Sequence, residues 1–230
     1  MCTTRPSLIF DLDGTLTDSK PGILACLRKV LDQRGMGDVG PLDRFIGPPV
    51  EAWVQDLLPN GSEEERAALA SDYRELYGRE GWNNNSVFPG VRELLQQLHQ
   101  QGFPLYVCTS KHQPYALRIL EAFGLAPFFR AVYGDRPEFA THNKTDLLAL
   151  LLREQTLPAQ ATWMIGDRIH DIEAAHSNRL RCLAVKWGYG SAAEHALANA
   201  QAATPASVPG LLAPPRAADA TGPATGMQPA

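Results

Sequence analysis

The sequence predicts an α/β fold, a parallel sheet with helices on both faces, interrupted by one all-helical insertion. Three observations predict it. Short apolar runs recur between helical patterns and each stops abruptly on polar or glycine residues, as fully buried parallel strands do. The first of these runs, Leu8-Ile9-Phe10, ends on two acids and a turn, Asp11-Leu12-Asp13-Gly14-Thr15. Residues 18–86 then carry helical stripes and no strand pattern, before strands and helices alternate to about residue 190.

The elements follow in order. After the turn at Gly14-Thr15, a helix is expected over 21–35, opened by Pro21 and closed by Gly35, with Ile23, Leu24, Leu27, Val30 and Leu31 on one face. Arg44-Phe45-Ile46-Gly47-Pro48-Pro49 must break regular structure. Helical patterns over 50–58 and 63–77 complete the insertion, the second striped by Leu69, Tyr73 and Leu76. From Phe88 the rhythm changes. A helix over 89–101 closes on Gly102, and a strand over 105–108 ends on Thr109-Ser110-Lys111. A helix over 113–123 closes on Gly124, and a short strand over 131–133 ends on Gly134-Asp135. A helix over 143–155 precedes a strand over 162–165 that ends on Gly166-Asp167. The last helix and strand cover 171–178 and 182–186, stopping at Trp187-Gly188-Tyr189-Gly190. Strands joined through helices of this length require right-handed crossovers and hence a parallel sheet. The expected organisation is a core of residues 1–17 and 87–213, a helical insertion at 18–86, and a disordered Ala/Pro-rich tail at 214–230.

Composition narrows the function classes. The 230 residues are 44% apolar and 20% charged, values of a soluble globular protein with room for a core and an insertion. Net charge is −4, the pI is near 5.9, and no run of Lys or Arg suggests a nucleic-acid or anionic-membrane surface. The four cysteines, Cys2, Cys26, Cys108 and Cys182, form no CxxC pair, which fits a reducing compartment better than a disulfide scaffold or a zinc site. Neither the polar N-terminus nor the leucine cluster at 147–152 reads as a signal or a membrane span, so a cytoplasmic location is expected.

In a parallel sheet the carboxyl ends of the strands share one edge, where ligands bind. That edge would gather Asp11, Asp13, Thr109 and Asp167, with Lys144 opening the helix before the strand that ends on Asp167. Several acids, a hydroxyl and one lysine are the inventory for Mg²⁺-assisted chemistry on a phosphate. Alone, Asp-Gly-Thr is also ordinary turn chemistry.

Taken together, Asp11-Leu12-Asp13-Gly14-Thr15, Thr109-Ser110, Lys144 and Gly166-Asp167-Arg168-Ile169-His170-Asp171 resemble, in order and spacing, the four motifs of the haloacid dehalogenase-like hydrolase superfamily. The resemblance covers residues 7–190. The insertion resembles that family's helical cap. Arg44–Pro49 and the Trp187–Gly190 turn resemble its phosphoglycolate phosphatase-like branch. The resemblance implies a Rossmann-like core and a Mg²⁺-dependent hydrolase acting on a small-molecule phosphomonoester. Asp11 would be the nucleophile, forming an aspartyl-phosphate. Asp13 would be the general acid and base. The Asp11 carboxylate, the Asp13 backbone carbonyl and Asp167 would hold Mg²⁺, with Asp171 in the outer shell. Thr109 and Lys144, helped by the amides of Leu12 and Ser110, would bind the phosphoryl oxygens.

Plainer readings stand beside these. Asp171 fits a helix cap as well as a metal water, and Thr109 could simply satisfy a backbone amide. The Ser110 side chain and Lys111 are expected to act structurally or indirectly, and His170 is expected to take no catalytic part. Arg44 fits an exposed capping residue slightly better than a contact to a substrate carboxylate. A phosphomutase of the same superfamily would use the same motifs. A phosphoacceptor signalling module would lack both an acid at position 13 and the insertion, and a non-catalytic binding relative would not need every motif position filled.

Overall fold

The computed structural model describes residues 5–136 and 143–212; the expected tail at 214–230 lies outside the described residues. Strand β1 (Ser7–Phe10) is followed by the two-residue β2 (Thr17–Asp18) and by helices α1 (Lys20–Gln33), α2 (Val50–Leu57) and α3 (Glu63–Leu76). A π-helical turn at Tyr77–Gly81 leads to the two-residue β3 (Ser86–Val87). The alternating part comprises α4 (Val91–Gln100), β4 (Leu105–His112), α5 (Gln113–Ala122), β5 (Ala131–Asp135), α6 (Lys144–Glu154), β6 (Thr162–Gly166), α7 (Ile169–Ser177) and β7 (Arg181–Val185). Three short elements close the described chain: α8 (Ala192–His195), β8 (Ala200–Ala202) and α9 (Val208–Leu211).

The sheet has six strands in the order β5-β4-β1-β6-β7-β8, all pairs parallel. Chain order runs outward from β1 through β4 to β5 on one side, and through β6 and β7 to β8 on the other. The carboxyl end of β1 is therefore the topological switch point at which open α/β sheets form their binding crevice.

Side-chain alternation divides the core into two layers. Leu8, Phe10, Leu105, Val107, Ile165 and Leu183 pack against α4 and α5, and Ile9, Tyr106, Cys108, Met164 and Cys182 against α6 and α7. The insertion has an apolar cluster of its own, in which Leu27, Phe45, Trp53, Leu69, Tyr73 and Tyr77 are buried together. Among the described residues no helix is long and apolar enough to cross a membrane.

Three sequence expectations are corrected. The insertion is not purely helical, because β2 and β3 pair antiparallel at its stem, Thr17 opposite Val87 and Asp18 opposite Ser86. The last strand is not β7, since Ala200–Ala202 adds a parallel edge strand beside Leu183–Val185. The strand read as 105–108 also runs on to His112, with a bulge between Cys108 and His112.

Candidate active site

Each acidic residue is placed by the strand that precedes it. Asp11 follows the last residue of β1, and its amide donates to the Ile165 carbonyl at 2.9 Å. Asp167 follows the last residue of the neighbouring β6, so the two acids emerge side by side. Asp171 lies in the first turn of α7, where its Oδ2 accepts the amides of Asp167 at 3.1 Å and Arg168 at 3.0 Å. All three are buried, and their carboxylate oxygens lie within 4.8 Å of one another.

Lys144, the first residue of α6, reaches into this group. Its Nζ stands 2.7 Å from Asp11 Oδ1 and 2.5 Å from Asp171 Oδ1. Burial opposes the charge on Lys144, but Asp11 and Asp171 outweigh it and hold the ammonium above its ordinary range. The two carboxyls are raised as well, which for an acid means that the charged form is disfavoured. Burial, with repulsion from Asp171 and Asp13, raises Asp11 to about 7 against the pull of Lys144. Burial, Asp171 and Asp11 raise Asp167 to about 8, although the Tyr189 amide and Lys144 lower it. Three buried carboxylates share one ammonium, which leaves uncompensated negative charge in a low-dielectric site. A hard, oxygen-only donor set of this kind fits a small divalent cation such as Mg²⁺.

Asp167 is tightly tethered. Its Oδ1 accepts the Thr15 hydroxyl at 3.2 Å and its Oδ2 the Tyr189 amide at 2.7 Å. Its carbonyl oxygen lies 3.0 Å from His195 Nε2. Glycines make room for it, Gly14 and Gly188 beside the side chain and Gly190 beside the backbone carbonyl. Gly14 has φ +86°, and a Cβ there would fall 2.3 Å from Asp167 Oδ2. A Cβ on Gly188 would meet the Gly14 carbonyl oxygen at 2.2 Å and the Asp167 Cβ at 2.4 Å. Gly188→Ala must therefore shift Asp167, and a displacement near 1 Å costs about 10²-fold in rate. Steady-state kinetics on the folded variant should read that loss; wild-type kcat/KM would show that the approach is not tight.

Asp13 does not join the carboxylate cluster. Its Oδ2 is 2.9 Å from Nζ of Lys111, which also donates to the Tyr77 hydroxyl at 2.9 Å. Asp11, Asp13, Thr109, Ser110 and Lys111 line one cleft between the sheet edge and the insertion. The Thr109 hydroxyl accepts the Lys111 amide at 3.2 Å, so the plainer reading of Thr109 holds alongside its place on the cleft wall. Arg44 is spent on the carbonyls of Pro41 and Val39 and on Asp56. It is an exposed residue that braces its own loop rather than a helix cap, whereas the neighbouring Phe45 lines the cleft.

Sequence reasoning missed several members of the site. Thr15, Tyr189 and His195 fix Asp167, whereas Lys111, expected to act indirectly, does so as the ion-pair partner of Asp13. Arg168 donates to the Ile46 carbonyl at 2.6 Å and pairs with Glu194 at 3.1 Å, joining the Asp167 loop to the insertion. The one signal available for Tyr189 was its glycine-flanked turn.

Comparison with known proteins agrees with this geometry. The family model for haloacid dehalogenase-like hydrolases matches residues 8–185. The 5′-nucleotidase of Pseudomonas aeruginosa is 38% identical over 190 residues, 81% of this chain and 85% of that protein. The tyrosine-protein kinase PtkA of Mycobacterium tuberculosis is 37% identical over 189 residues; this covers 80% of the chain but only 63% of PtkA. A solved PtkA structure superposes with a TM-score of 0.74 at 34% identity, covering 90% of this chain and 98% of that one. The phosphoglycolate phosphatase of Yersinia pseudotuberculosis is 30% identical over 186 residues, 78% of this chain and 80% of that protein. Fold, acid-rich sheet edge and relatives together define a hydrolase of phosphate esters. The chain belongs to the haloacid dehalogenase-like hydrolase family and is a phosphatase within it, similar to the phosphoglycolate phosphatase-like branch.

Proposed function

We propose that this phosphatase hydrolyses small phosphomonoesters with Mg²⁺, through an aspartyl-phosphate on Asp11. Residues 1–17 and 87–213 act as its catalytic core and residues 18–86 as its cap. The carrying observation is the division of the two acids: Asp11 is held by Lys144 at 2.7 Å, while Asp13 stands beside it on the same cleft, held by Lys111 at 2.9 Å.

Asp11 attacks phosphorus, forming a P–O bond to its carboxylate as the bond to the leaving oxygen breaks. Asp13 gives that oxygen a proton, then takes one from the water that attacks the acyl-phosphate, releasing phosphate and restoring Asp11. Thr109 and Lys144, with the amides of Leu12 and Ser110, bind the phosphoryl oxygens as charge builds on them. Asp11, the Asp13 carbonyl and Asp167 would hold Mg²⁺, with Asp171 in its outer shell; the ion supplies the positive charge that lets a carboxylate approach a phosphate dianion. Asp171 has a second task, since its contact at 2.5 Å steadies Lys144.

The metal requirement has two readouts. Hydrolysis of an aryl phosphate should vanish with chelator and return with Mg²⁺, with release of inorganic phosphate separating a hydrolase from a phosphomutase. Binding should also raise the melting temperature, and more so at higher pH. Asp11 and Asp167 have folded pKa values above their unfolded ones, so the folded protein binds extra protons between about pH 4 and 8. Without metal these groups make stability fall as pH rises through that window. Metal binding displaces those protons, so the Mg²⁺-induced shift should grow from pH 6 to pH 8. A shift of equal size at both pH values, or full activity in chelator, would contradict the assignment.

A further inference from the structure

The cleft wall opposite the phosphate site has a chemistry of its own. Six rings line it: Phe45, Trp53, Tyr73 and Tyr77 from the insertion, His112 and Tyr115 from the core. They form an unbroken run of ring contacts. Phe45 and Trp53 lie 6.0 Å apart, Trp53 and Tyr73 5.0 Å, Tyr73 and Tyr77 5.8 Å, Tyr77 and Tyr115 5.7 Å, and Tyr115 and His112 5.4 Å. The middle of the run adjoins the proposed reacting groups, because the Tyr77 hydroxyl accepts from the same Lys111 ammonium that holds Asp13. The cleft holds about 60 Å³ of free space and is partly open to solvent.

Charge on this wall is already balanced. Among the described residues lining the cleft, the two permanent cations are Lys111 and Arg74. Lys111 pairs with Asp13, and Arg74 pairs with Glu51 and lies 3.9 Å from Asp135. A second anionic group on a substrate would find both cations engaged and would face Asp13 and Asp135. A flat ring would find offset and edge-to-face partners.

We propose that this cleft selects phosphomonoesters whose leaving group carries a planar aromatic ring and no second anionic group. The proposal rests on the hydrolase reading above and names its substrate class. A nucleobase and a simple aryl group share this chemistry and differ in the distance from ring to phosphorus.

The test compares four alkyl phosphates, so that leaving-group basicity is nearly constant: benzyl phosphate, adenosine 5′-monophosphate, phosphoglycolate and glycerol phosphate. Acetyl phosphate, which needs no recognition by the insertion, reports the chemistry itself. With Mg²⁺ present, kcat/KM for benzyl phosphate or adenosine 5′-monophosphate should exceed that for phosphoglycolate and glycerol phosphate by about tenfold or more, the scale of one apolar pocket contact. The better of the two aromatic esters locates the ring. Trp53→Leu should cost more on the aromatic esters than on acetyl phosphate. Asp135→Asn, a half-buried position unlike the core-like Trp53, removes one anion from the cleft wall and should raise kcat/KM for phosphoglycolate relative to wild type. Phosphoglycolate turnover equal to or above that of both aromatic esters overturns the substrate class while leaving the hydrolase reading intact. Failure to hydrolyse even acetyl phosphate overturns the hydrolase reading, and this inference with it.

Discussion

Asp11→Asn should abolish turnover of every phosphomonoester while leaving the protein as stable as the wild type or more so. An amide oxygen cannot form the acyl-phosphate, and the nearest other carboxylates are committed. Asp171 is bound to two amides and Lys144, and Asp167 to the Thr15 hydroxyl and the Tyr189 amide. The loss of a nucleophile that acts with its neighbours as a unit is on the order of 10⁴–10⁶ in rate. The stability argument runs the other way. The raised proton affinity of Asp11 means that its charge is unfavourable where it sits, chiefly through burial and secondarily through Asp171 and Asp13. Replacing it with a neutral isostere relieves that repulsion, and Lys144 keeps Asp171 as its partner at 2.5 Å. Metal-free Asp11→Asn should therefore melt at or above the wild-type temperature near pH 8. A variant that melts well below wild type would make Asp11 a structural residue.

Asp13→Asn should show a loss that depends on the leaving group. Its backbone carbonyl and the nucleophile remain, and what disappears is proton transfer, worth about 10²–10⁴-fold. An alkoxide leaves badly without a proton, so alkyl phosphates should take the full loss. A nitrophenolate needs little protonation, so the first step on nitrophenyl phosphate should survive better. The variant also leaves Lys111 without its carboxylate partner, though the Tyr77 hydroxyl stays at 2.9 Å. Equal losses on both substrate types would remove Asp13 from acid catalysis.

The parts of this site that were legible in the sequence are those fixed by local pattern. An apolar run that stops on an acid places Asp11 and Asp167 at strand ends, and a helix start places Lys144 beside them. The parts that were not legible depend on pairing across long sequence distances. Thr17-Asp18 and Ser86-Val87 are too short to show a period, and they become strands only by finding each other across the insertion. Ala200–Ala202 is small and poor in β-formers, and the edge of β7 supplies its ladder. Lys111 has the indirect role expected of it, but its place on the cleft wall depends on an irregularity the sequence does not show. Strict alternation along a strand would not put Thr109, Ser110 and Lys111 on the same cleft, and the bulge between Cys108 and His112 re-aims them. Arg44 shows the converse case, a residue in a suggestive loop whose donors are consumed by its own neighbours.

The division of labour between the two acids is the central claim, and one mass measurement tests it directly. Asp13→Asn mixed with Mg²⁺ and nitrophenyl phosphate should form the acyl-phosphate and hydrolyse it slowly. The intact protein should then gain the mass of one phosphoryl group, carried on the peptide that contains Asp11. Asp11→Asn under the same conditions should gain nothing. An adduct on any other residue, or none in Asp13→Asn while the wild type turns over, would contradict nucleophilic catalysis by Asp11.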